Sequence, residues 1–122
     1  MDKSVACPSA YLYSALLVDD DAAHAEQLIA RVQPQSLAVE HVRNSEEAIV
    51  RLQRRTGCYE LVLFNVSANG PPWHRTLRKV QHACQRLNGQ AAPLFLCVSK
   101  TRKRPDFILR IERLGARYVL ER

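Results

Sequence analysis

The sequence predicts an α/β domain built on a doubly wound, five-stranded parallel sheet. Three observations carry that expectation. Short apolar runs alternate with stretches of helical periodicity along most of the chain. The inner runs, LVLFNV at 61–66 and PLFLCVS at 93–99, are almost continuously apolar, as strands covered on both faces are. Finally, 122 residues with 47% hydrophobic content suit one domain with a real core.

The elements follow in order. Residues 1–13 read as an N-terminal tail and 14–122 as the domain. The first strand is SALLVD (14–19), an apolar run ending in acid. Ala22, Ala25, Leu28, Ile29 and Val32 then recur at helical spacing, and Pro34 stops that helix. LAVEHV (37–42) alternates weakly and is expected to be the second strand. Asn44 can cap the next helix, with Glu47 at the capping-box position and Ala48, Ile49 and Leu52 facing inward. LVLFNV is the third strand. Trp73, Leu77, Val80, Cys84 and Leu87 make one buried stripe of a helix over 73–88. PLFLCVS is the fourth strand. Pro105 opens a helix that turns Phe107, Ile108, Ile111 and Leu114 inward, and Gly115 closes it. RYVLE (117–121) is the fifth strand. Crossovers between parallel strands should be right-handed.

Ligands of such sheets sit beyond the carboxyl ends of the strands. The residues expected there are Asp19, Asp20, Asn65, Ser99 and Glu121. In that arrangement the chain resembles the receiver domain of two-component response regulators over roughly residues 14–122. LLVDDD (16–21) looks like the family's first strand with its acidic pair. ELVLFNVSANG (60–70) looks like the third strand and following loop, with Asn65 at the phosphoacceptor aspartate. Ser99 matches the hydroxyl residue closing strand four, and GARYVLE (115–121) places Tyr118 at the switch aromatic and Glu121 at the usual lysine. The resemblance implies a flavodoxin-like fold with strand order 2-1-3-4-5.

An intact site of this family uses a carboxylate as the nucleophile that takes up the phosphoryl group. Two further carboxylates hold Mg²⁺, and a lysine helps neutralise the transferring oxygens. The resemblance also implies a hydroxyl–aromatic switch, here Ser99 and Tyr118. Two positions depart from that scheme. Asn65 offers an uncharged amide, a very poor nucleophile, and Glu121 cannot supply a lysine's charge. Asp19, Asp20, Asn65 and Glu121 together carry −3, against −2 for three aspartates and a lysine. A divalent metal could still be attracted, with Glu121 as a new ligand, but the favoured expectation is that the carboxylates are relics. No cofactor is expected with certainty, and Mg²⁺ only weakly.

Two further departures concern the loops and the end of the chain. Asn69 stands where the family usually has proline, yet Asn69-Gly70 can still turn the chain. The sequence stops just past the fifth strand, so the family's fifth helix is expected to be missing and an apolar strip exposed. A longer regulator, a partner or second copy, or the N-terminal Tyr11–Tyr13 segment could cover it.

Charge and composition bound the partners. The net charge is +6, and from Lys100 onward eight basic residues face three acidic ones. The stretch KTRKR (100–104) suits docking of an acidic partner. No aromatics are interleaved to stack bases and no helix-turn-helix signature occurs, so nucleic acid is disfavoured for this domain. No apolar run has the length of a membrane span or a signal peptide. Cys7, Cys58, Cys84 and Cys97 form no C-x-x-C pair and read as reduced thiols of a cytoplasmic protein. His24, His41, His74 and His82 lack ligand spacing and read as surface or half-buried groups. A triad of Ser99, His24 and Asp20 lacks a strained nucleophile turn.

The expected function is a non-enzymatic signalling and protein-interaction module that works without phosphorylation. Its partner would be a protein or a second copy, met through the fourth-helix and fifth-strand side or through the open face. The alternatives are a residual metal-dependent site on Asp19, Asp20 and Glu121, or nucleic-acid binding through residues 100–122.

Overall fold

A computed structural model describes residues 13–32, 37–54, 59–66, 73–85 and 93–121. Strands and helices alternate: β1 (Tyr13–Val18), α1 (Ala22–Val32), β2 (Leu37–Val42), α2 (Ser45–Arg54), β3 (Leu61–Asn65), α3 (Trp73–Gln85), β4 (Leu94–Ser99), α4 (Pro105–Arg113) and β5 (Arg117–Leu120). The strands form one parallel sheet in the order β2-β1-β3-β4-β5, as expected. β1 opens at Tyr13, one residue before the expected start of the domain. Pro34, Cys58, Leu87 and the Asn69-Gly70 turn lie outside the described residues, as do Cys7 and the Tyr11-Leu12 part of the N-terminal segment.

Local chemistry sets the helix ends. The Asn44 side chain accepts the Glu47 N–H at 2.9 Å, capping α2. Glu47 reaches back to the Arg43 N–H at 2.9 Å, one residue before the cap. Pro105 fills the first turn of α4, where a missing N–H costs nothing. That helix ends on Gly115 at φ +85°. The Gly115 N–H bonds the Glu112 carbonyl and the Ala116 N–H bonds the Ile111 carbonyl, a closing pattern that needs a left-handed residue. Gln81 of α3 donates to the Leu114 carbonyl at 2.7 Å and ties the two helices together.

Strand alternation splits the core in two. One face carries Leu16, Val18, Val62, Phe64, Phe95 and Cys97 under α2, α3 and α4, which contribute Leu52, Leu77, Val80 and Ile111. Of the inward residues expected on α4 only Ile111 is fully buried, since a helix beside the edge strand β5 is covered on one side only. The other face carries Ala15, Leu17, Leu63 and Val98 under Ala25 and Leu28 of α1. No other described helix packs there. Leu94 and Val119 remain 47% and 39% exposed, so the apolar strip expected beside α1 is present. Cys97 is fully buried in the middle of the sheet, and burial pushes its thiol up to about 12. Burial also raises the Cys84 thiol.

Candidate functional site

The carboxyl ends of β1, β3, β4 and β5 converge, and each delivers a polar group. β1 delivers Asp19, whose side chain is fully shielded from water. Its Oδ1 accepts the Asp21 N–H at 2.9 Å and the Asn65 Nδ2 amide at 3.0 Å. Its Oδ2 meets Nδ1 of His24 in a short contact. The Asp19 carbonyl takes a hydrogen bond from His41 Nε2 at 2.6 Å, which fixes the turn against β2. Asp21 caps α1 through its side chain and the His24 N–H, 3.1 Å apart. That cap sets the third helical residue, His24, pointing back into the site.

His24 is 2% exposed, which corrects the expectation of a surface or half-buried ring. The physical reason is a pair of carboxylates. Nδ1 faces Asp19, and Nε2 faces Glu121 Oε2 at 2.7 Å across 97 residues of sequence. Glu121 in turn meets the Arg31 guanidinium at 3.2 Å. Burial works against the imidazolium, but the hydrogen bonds and negative charges of Asp19 and Glu121 outweigh it and raise the His24 pKa. The Glu121 carboxylate, expected at the lysine position, is thus drawn to a histidine and an arginine.

Asn65 and Asp19 are brought together as the sequence predicts, with the amide donating rather than accepting. Asp20 lies beside them but is exposed on the turn after β1. Asp19, Asp20 and Glu121 therefore do not converge as an acidic trio. Ser99 closes β4, fully buried, with its hydroxyl 2.6 Å from the Tyr118 hydroxyl. The same two groups hold the loop after β4: Ser99 donates to the Thr101 carbonyl at 2.7 Å, and Tyr118 accepts the Lys103 N–H at 3.0 Å. Neither Asp20 nor Ser99 forms a triad with His24. Lys103 stands over the Phe107 ring, 5.1 Å from its centre, and Phe107 packs on Trp73.

A cleft of about 480 Å³ opens beside Asp19, lined among others by Asp20, Arg43, Asn65, Trp73 and Lys79. Among the described residues, no group of three or more His, Cys, Asp or Glu side chains is placed to hold a metal ion.

Sequence reasoning missed His24, Arg31 and His41. A signal for His24 was present: it sits four residues before Leu28 and next to Ala25, on the inward stripe of α1.

No protein-family model matches this sequence, and no curated protein matches it. Solved structures do. A two-component response regulator from Clostridium difficile superposes with a TM-score of 0.68 at 14% identity, over 89% of this chain and 83% of the other. The chemotaxis protein CheY4 of Vibrio cholerae matches with 0.68 at 15% identity, over 89% and 86%. A chain from the complex of histidine kinase ThkA with response regulator TrrA matches with 0.65 at 18% identity, over 91% and 87%. The chain therefore has the fold of response-regulator receiver domains.

Proposed function

We propose that this chain is a receiver-fold signalling module that works by protein association and takes up no phosphoryl group. One observation carries the reading: the residue closing β3 beside Asp19 is Asn65, and its amide is hydrogen-bonded to that carboxylate at 3.0 Å. An amide is uncharged and a very poor nucleophile, so the position offers nothing to attack phosphorus. Glu121, which meets the same His24 ring as Asp19, is a carboxylate and cannot supply the positive charge that a transferring phosphoryl group needs.

The Ser99–Tyr118 pair supports a fixed output state. In this reading the pair no longer answers to a phosphoryl group and holds the loop at 101–103 in one arrangement. A protein partner would meet that arrangement through α4 and β5, where Lys100, Arg102 and Arg104 are exposed, or through the open strip at Leu94 and Val119. A fold neighbour has been solved in complex with a histidine kinase, which supports protein association as the mode of action. The basic residues suit an acidic protein surface. A cytoplasmic site of action and the lack of enzyme activity belong to the same proposal. No helix among the described residues is long and apolar enough to cross a membrane.

Incubation with a small-molecule phosphodonor and Mg²⁺, followed by intact mass measurement, tests this. The expected result is an unchanged mass. An acid-labile gain of one phosphoryl group overturns the proposal.

A further inference from the structure

The acid pocket of the receiver fold is expected to hold a divalent cation between carboxylates, and the residues here do not fit that ion. A hard cation such as Mg²⁺ needs free oxygen lone pairs in near-octahedral array. Among the described residues Asp19 is the one fully buried carboxylate at the site, and three donors crowd it: the Asp21 N–H, the Asn65 amide and the His24 ring. Asn65 turns its NH₂, the positive end of the amide, toward that carboxylate. Glu121 is committed to His24 and Arg31, at 2.7 and 3.2 Å. Asp20 lines the same cleft but is exposed on the turn after β1, so it leaves Asp19 without a second buried carboxylate to share an ion.

We infer that His24 is a built-in cation: carried on the first turn of α1, it stands between Asp19 and Glu121 and supplies the charge that a metal ion and a lysine would bring. The donor geometry argues for it. Both ring nitrogens face carboxylate oxygens, and carboxylates only accept, so both nitrogens must donate. The energetics argue the same way. The Asp19 and Glu121 side chains are 0% and 6% exposed, and two carboxylates so deeply buried need a positive partner in contact. His24 gives each of them one, and Arg31 adds a second to Glu121 from the solvent side.

Two consequences follow for the molecule. Its pocket is closed to Mg²⁺ and Mn²⁺ by a side chain of its own, not merely weakened by loss of a ligand. The same ring joins the start of α1 to the end of β5, so the charge that closes the pocket also anchors the helix. A chain that bound Mn²⁺ at Asp19 could still refuse a phosphoryl group, so this inference and the signalling proposal fail separately.

The test is a Mn²⁺ titration of the full chain, read by paramagnetic broadening of the backbone amides of residues 18–22 and 65. The wild type should show no local broadening up to about 5 mM Mn²⁺. His24→Ala combined with Asn65→Asp should bind, with selective broadening of these amides and a dissociation constant at or below about 1 mM. If the alanine variant does not fold, His24→Gln with Asn65→Asp, closer in volume and uncharged, takes its place with the same expected gain. Wild-type broadening centred on Asp19 and Asp20 and lost in Asp19→Asn overturns the inference. So does a folded double variant that gains no binding, because His24 would then not be what keeps the ion out.

Discussion

On one face of the sheet three helices bury sixteen residues, from Leu16 and Phe64 on the strands to Leu77 and Ile111 on the helices. On the other, α1 is the one described helix over a cluster of six, and Leu94 and Val119 are 47% and 39% exposed. The thicker face rests on apolar bulk. The thinner one has little of it and is fastened at its upper end by charge, through His24, Asp19, Glu121 and Arg31. A helix short of apolar partners can be held by one well-placed ionic clamp, provided every buried lone pair is met.

The largest expected effect breaks that clamp. His24→Ala leaves two buried carboxylates without their shared cation and should cost about 3–5 kcal/mol, measured by urea unfolding. A loss under about 1 kcal/mol would mean that α1 is held by its apolar stripe after all. Next comes the matched pair Ile111→Ala and Leu28→Ala, one from each face. Ile111 is fully buried and should cost about 3–4 kcal/mol; Leu28, at 7% exposure beside the open strip, should cost about 2. Equal losses would erase the distinction between the faces.

A smaller effect sharpens it through pH. The folded His24 pKa lies above its ordinary 6.5, so its contribution is fully present below that value. The contribution is lost as pH rises through the raised folded pKa. The midpoint of urea unfolding should therefore fall as pH is raised through neutrality, and His24→Gln should flatten that slope. The smallest effect is expected on the open strip: Val119→Thr should change stability by no more than about 0.5 kcal/mol in the isolated chain. A larger loss would show that something covers Val119 in solution.

Much of the fold was legible because its signals are local. Asn44 with Glu47, Pro105 and Gly115 mark helix ends through contacts within a few residues, and each stands in its expected place. The inner strands were legible from unbroken apolar runs, which only a sheet covered on both sides can use. Asn65 beside Asp19 was legible from its position at a strand end. His24 was not. Its environment is made by Glu121, which lies 97 residues away and meets it only once the sheet has formed. A single histidine at a helix start is usually solvated, and only its register with Ala25 and Leu28 hinted otherwise. Glu121 misled for the same reason: as a lysine replacement it reads as a spare ligand, whereas two basic side chains of α1 already claim it.

Cys97 gives this molecule a clock of its own. A thiol with no water contact and a pKa near 12 presents almost no thiolate to a reagent while β4 stays between its neighbours. Its alkylation then counts the moments when the sheet comes apart, whereas Cys84, on α3, can be reached by the lesser event of that helix lifting away. The ratio of the two labelling rates separates melting of the whole domain from fraying of one layer, with no probe introduced.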